Sequence, residues 1–164
     1  MAAGNTYEAI ATQTLGSAAA SVTFSSIPST YTDLIIVTGI IGVGDLQMNV
    51  RLNSDTATNY STTYLAGNGT SAVSDRATNA TSMGTDYYFG ATTAGNATIL
   101  QFLNYSNTTT NKTMLARSNQ ASKGVQATVG LWRNTAAINT IQLISSTSNF
   151  NTGSTFSLYG ILAA

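Results

Sequence analysis

Leu46-Gln47-Met48-Asn49-Val50-Arg51-Leu52-Asn53 decides the fold: large apolar side chains fall on every second residue, with polar ones between them. Successive side chains of a strand point to opposite faces, so a period of two marks a half-buried β-strand; a helix would space its apolar positions three and four apart. The alternation recurs at Val125, Ala127, Val129 and Leu131 against Gln126, Thr128, Gly130 and Trp132. In the last such segment Phe156, Leu158 and Leu162 alternate with Ser157, Tyr159 and Ile161, which predicts a strand covered on both faces. Further strands are expected near 7–15, 20–27, 33–41, 97–106, 112–119 and 138–145. Turn clusters separate them: Gly16-Ser17, Pro28-Ser29, Gly42 to Asp45, Ser106 to Asn111 and Asn149 to Gly153. About eight to ten short strands punctuated in this way read as a sandwich or barrel. The expected fold is all-β, a two-sheet antiparallel β-sandwich of jelly-roll type, with the 164 residues forming one domain.

Composition supports this reading. Thr, Val, Ile, Tyr and Phe suit a pleated, half-buried surface, and the chain has one Glu and two Lys to set against them. The stretch 54–96 fits least well. Its large apolar residues are few (Tyr60, Tyr64, Leu65, Val73, Met83, Tyr87, Tyr88 and Phe89), and Gly, Asn, Thr and Ser fill the rest. It reads as a loop-rich region, either two poor edge strands with wide loops or a projecting surface that meets a partner. Residues 1–6 read as a flexible arm that orders against a neighbouring subunit.

Charged residues make up 7% of the chain, against about 25% in an average domain. Six basic residues balance six acidic ones. Arg51, Arg76, Lys112, Arg117, Lys123 and Arg133 are scattered singly, so the chain lacks the clustered cations that displace counterions from nucleic acid. Zero net charge offers little colloidal repulsion and favours association, which suits a component of an assembly. The first residues, Met1-Ala2-Ala3-Gly4-Asn5, lack the basic start of a signal peptide. The apolar run from Leu34 through Ile41 falls well short of the ~20 residues of a membrane helix.

The chain contains no histidine and no cysteine. Ser-His-Asp and Cys-His nucleophilic arrangements therefore cannot be built, nor can zinc–thiolate or histidine-ligated metal sites. Glu8, Asp33, Asp45, Asp55, Asp75 and Asp86 are the only carboxylates, and no two are close in sequence. Asp33, Asp45 and Asp55 read as turn residues that accept hydrogen bonds from their own backbone. Asn53 with Asp55, and Asp75 with Asn79, lack a calcium-loop pattern. No catalytic residue, cofactor or metal is expected. Asn-x-Ser/Thr triplets begin at Asn59, Asn68, Asn79, Asn96, Asn104, Asn107 and Asn111, as a chain so rich in Ser and Thr produces by composition. Trp132 reads as a core residue. Tyr87, Tyr88 and Phe89, with apolar area and polar tips together, are candidate interface residues, and Asp75 and Arg76 are grouped with them.

Several pieces carry a resemblance: Ile10-Ala-Thr-Gln-Thr-Leu15, Val22-Thr-Phe-Ser-Ser-Ile-Pro28, Tyr31-Thr-Asp-Leu-Ile-Ile36, Val50-Arg-Leu-Asn53, Asn59-Tyr-Ser61, Asn104-Tyr-Ser106, Gly130-Leu-Trp-Arg133 and Gly153-Ser-Thr-Phe-Ser-Leu-Tyr-Gly160. Together they resemble a family of small virion proteins of tailed phages: capsid decoration (cement), head-fibre or tail-associated proteins. The resemblance implies a non-enzymatic structural protein, with a homotrimer that clamps the major capsid protein at the capsid surface as the first expectation. A tail-fibre or receptor-binding module that recognises host glycans is the second. It implies no catalytic residues.

Overall fold

The computed structural model describes residues 6–42, 46–85 and 96–162. Twelve strands run through them: β1 (Tyr7–Thr14), β2 (Ser21–Phe24), β3 (Asp33–Gly39), β4 (Met48–Leu52), β5 (Tyr60–Gly67), β6 (Ala72–Ala80), β7 (Met83–Gly84), β8 (Ala97–Phe102), β9 (Lys112–Gln120), β10 (Gly124–Trp132), β11 (Ile141–Ser145) and β12 (Thr155–Ile161). The described residues contain no helix, so none is long and apolar enough to cross a membrane.

The strand order follows from winding one long hairpin. The larger sheet runs β1-β12-β3-β8-β9-β10-β5-β6 and the smaller β2-β11-β4-β7, all pairs antiparallel. The sets β1-β12-β3-β8 and β2-β11-β4-β7 exchange consecutive strands between the two layers, which is the jelly-roll arrangement. Two further hairpins, β5-β6 and β9-β10, widen the first sheet to eight strands and leave the second at four. The β5-β6 turn is closed by Asn68, whose side-chain oxygen accepts from Thr70 N–H at 3.0 Å and Ser71 N–H at 2.8 Å. Gly69 supplies the left-handed φ of 84° that this turn needs. Asn107 plays the same part before β9, accepting from the N–H groups of Thr109 and Thr110.

The core lies between the layers. Leu34 and Ile36 of β3, Met48, Val50 and Leu52 of β4, and Phe156 and Leu158 of β12 are all buried. Removing such a side chain from water contributes about 1.5–3 kcal/mol each. At one end Trp132 stacks on Tyr60 with ring centroids 6.3 Å apart. The Trp132 indole N–H donates to Asp55 Oδ2 at 2.7 Å. Asp55 also accepts from Ala57 N–H, as a turn aspartate does, and from the Asn59 amide. The Asn59 contact, then that of Trp132, hold its carboxyl below the ordinary value. Asp33 instead accepts from Asn104 N–H, 71 residues along the chain.

The Tyr60 hydroxyl is fully buried; it accepts from Leu52 N–H at 3.1 Å and lies 3.2 and 3.1 Å from the Leu52 and Asp55 carbonyls. Burial pushes its pKa up to about 12. A folded value raised above the unfolded one means stability that is intact below pH 10 and lost as pH climbs through the window from 10 to about 12. The loss should reach roughly 2 kcal/mol, and alkaline denaturation of Tyr60→Phe should lack that step.

The structure revises the reading of 54–96. This stretch holds β5, β6 and β7, and β5 is an interior strand between β10 and β6. The other two are edge strands, β6 ending the larger sheet and the two-residue β7 the smaller, and β6 is exposed along nearly its whole length. Residues 1–5, most of the expected N-terminal arm, lie outside the described residues.

Candidate interaction face

The larger sheet has an inner face toward the smaller sheet and an outer face toward solvent, and β10 places its side chains against their chemical type. Gln126, Thr128, Gly130 and Trp132 point inward, while Val125, Ala127, Val129 and Leu131 point outward. Trp132 and Gly130 fix this choice. A Cβ on Gly130 would lie 2.5 Å from Met83 Sδ and 3.1 Å from Met83 Cγ, so β7 of the smaller sheet approaches β10 where the larger sheet has no side chain. The inward polar groups are accommodated because they are hydrogen-bonded. The Thr85 carbonyl accepts from Ser118 Oγ at 3.1 Å and Thr128 Oγ1 at 3.4 Å, and Gln126 Nε2 donates to Thr128 Oγ1 at 2.8 Å.

The outer face consequently exposes aliphatic side chains among polar ones. Cross-strand register lines up two rows on it. One runs Ser74, Leu65, Ala127, Arg117, Ile99 and Val37; the next runs Arg76, Thr63, Val129, Leu115, Gln101 and Ile35. Leu65 is 59% exposed, Val125 60% and Val129 50%. A hollow of about 600 Å³ lies among them, lined by Thr63, Leu65, Ile99, Leu115, Arg117 and Val129. Its one charge is Arg117, which is exposed and pairs with no carboxylate among the described residues.

A second, polar cleft of about 320 Å³ lies on the inner side, where the larger sheet overhangs the smaller. Asn49, Tyr64, Asp75 and Gln126 line it, with Thr62, whose buried hydroxyl has no hydrogen-bond partner.

Asp75 and Arg76 do not form one site. Neighbours on a strand point to opposite faces: Asp75 sits opposite Tyr64 at the polar cleft, and Arg76 opposite Thr63 on the outer face. Tyr87, Tyr88 and Phe89 lie outside the described residues. Trp132, read as a core residue, is 1% exposed, and its neighbour Arg133 is held by Ser61, Thr58 and Asn79. Lys112, also 1% exposed, donates to the Thr110 and Thr135 carbonyls at 2.7 and 3.0 Å, and burial lowers its pKa. Capped in this way and sealed from solvent, that amine is structural. Among the described residues no three Asp or Glu side chains come together to hold a metal.

No family model matches the chain, and no curated protein matches it. Among solved structures it is similar to an exo-inulinase from Aspergillus awamori, at 10% identity and a TM-score of 0.45, covering 94% of this chain and 29% of that one. It is also similar to the galectin LEC-6 of Caenorhabditis elegans, at 8% identity and a TM-score of 0.39, covering 91% of this chain and 95% of that one. The chain thus spans under a third of the inulinase. Neither likeness carries an argument about function.

Proposed function

We propose that this chain is a non-enzymatic structural protein of a phage particle that acts by association, as a capsid decoration protein on the shell surface. The observation that carries the reading is the exposed aliphatic side chains on the outer face of the eight-stranded sheet, on a molecule with no net charge. Such a surface gains from being covered and meets little electrostatic resistance when it is. The strand and turn sequences that resemble small virion proteins supply the setting, and the lack of His and Cys removes the common nucleophiles and bases. Each copy bound to an assembled shell and not to free shell subunits stabilises the assembly by mass action. Copy number in purified virions, by quantitative mass spectrometry, tests the role. Stoichiometry near that of the major capsid protein fits decoration; a few copies per particle would place the chain at the tail.

One observation favours a second reading, a glycan-binding tail module: the polar cleft with the unpartnered Thr62 hydroxyl. On that reading Asn49→Ala and Asp75→Ala abolish binding on a glycan array, whereas on the first reading no glycan is retained.

A further inference from the structure

The hollow on the outer face has a composition that selects its occupant. It is concave, so two such faces stacked on one another would enclose a void, which dense protein packing disfavours. Leu65, Ile99, Leu115 and Val129 give it aliphatic walls, Thr63, Ser74 and Gln101 add uncharged polar groups, and Arg117 is its one charge. A convex, largely apolar group with polar tips and one carboxylate would therefore fill it and pair that charge. The described carboxylates are placed elsewhere. Asp33 and Asp55 accept the hydrogen bonds described above, Asp75 accepts from Arg76 N–H and lines the polar cleft, and Glu8 lies beside Tyr31. The sequence Asp86-Tyr87-Tyr88-Phe89 joins a carboxylate to three consecutive aromatic residues, a combination found nowhere else in the chain.

We propose that the hollow lined by Leu65, Ile99, Leu115, Arg117 and Val129 is a socket for the Asp86–Phe89 segment of a second copy, with the exchange reciprocal between the two. Ten residues separate Thr85 from Asn96, and a chain segment of that length can reach at most about 16 Å from its two ends. That exceeds the ~10 Å between packed layers. Strands spaced ~4.8 Å apart and rising ~3.4 Å per residue give the apolar patch an area on the order of 400 Å². With one socket covered and one inserted segment of like area buried, each partner contributes about 800 Å², the size of a standard stable interface. Reciprocity makes the assembly a two-fold dimer, in place of the trimer that the resemblance implies. The inference deepens the reading that the chain acts by association and does not depend on the particle in which it does so.

Sedimentation equilibrium of the full-length protein tests it. Wild type should dimerise, Arg117→Glu should weaken the dimer at least tenfold, and Arg117→Glu combined with Asp86→Arg should restore it to within about threefold. Val129→Asp, also at an exposed position, should abolish the dimer while circular dichroism stays unchanged. A synthetic peptide with the sequence from Thr85 to Asn96 should dissociate the wild-type dimer. An oligomer that Arg117→Glu and Val129→Asp leave intact, or a double variant no tighter than the single one, overturns the socket and leaves association standing. A monomer at every concentration overturns the socket and self-association together.

Discussion

Trp132→Ala should destabilise the chain by about 3–5 kcal/mol, the usual cost of deleting a buried aromatic ring. Small domains are stable by roughly 5–15 kcal/mol, so the variant should lose about a fifth or more of its stability. Three effects coincide at this residue. The ring is 1% exposed and stacked on Tyr60, so its loss opens a cavity at one end of the core. Its N–H satisfies Asp55, which also holds Asn59 and the turn into β5. Its inward position helps set which side of β10 faces the smaller sheet. Urea denaturation followed by circular dichroism measures the loss. Trp132→Phe separates the terms: it keeps most of the ring and removes the charged hydrogen bond, and should cost about 1.5–3 kcal/mol.

Gly130→Ala should cost about 1–3 kcal/mol although it adds a single methyl group. The reason is the Met83 side chain, whose Sδ would stand 2.5 Å from the new carbon, with Met114 Cε at 3.1 Å. Met114 can swing its terminal methyl aside. Met83 cannot, because the crowding reaches Cγ and the residue is fully buried between β7 and β10. Either the layers part or Met83 leaves its rotamer. A double-mutant cycle with Met83→Ala should recover part of the loss, with a coupling of about 0.5–3 kcal/mol. Additive effects would mean that Met83 does not pack into the space above Gly130.

These two residues also explain what the sequence could and could not reveal. A strand such as β4 was readable because its alternation is clean, with every apolar position from Met48 to Leu52 buried, whereas β9 alternates in burial but not in residue type, since Lys112, Ser118 and Gln120 lie inward and Leu115 outward. β6 was not readable. It overhangs the smaller sheet and has no buried face, so nothing selects apolar residues at a period of two, and it is held by backbone pairing with β5 and by the Arg133 contact to Asn79. The 125–131 alternation was visible, but not its direction. Side-chain type suggests that the aliphatic set points inward, whereas the direction depends on Trp132, Gly130 and a methionine 47 residues before that glycine. The aliphatic outer face was therefore present in the sequence as a pattern and absent as a location. Arg117 shows the same limit: in sequence it is one scattered cation, and only cross-strand register puts it between Ala127 and Ile99.

Because the chain has no cysteine, Val129→Cys places a single thiol at the middle of the outer face. The most direct measurement is its rate of reaction with a small maleimide as the protein is diluted from high to low concentration. A face covered by neighbouring copies gives slow labelling in concentrated solution and an increase of tenfold or more on dilution. A rate that is fast and unchanged across the whole range, in a folded protein, would mean that these valines and leucines face water throughout and that the eight-stranded sheet is not an association surface.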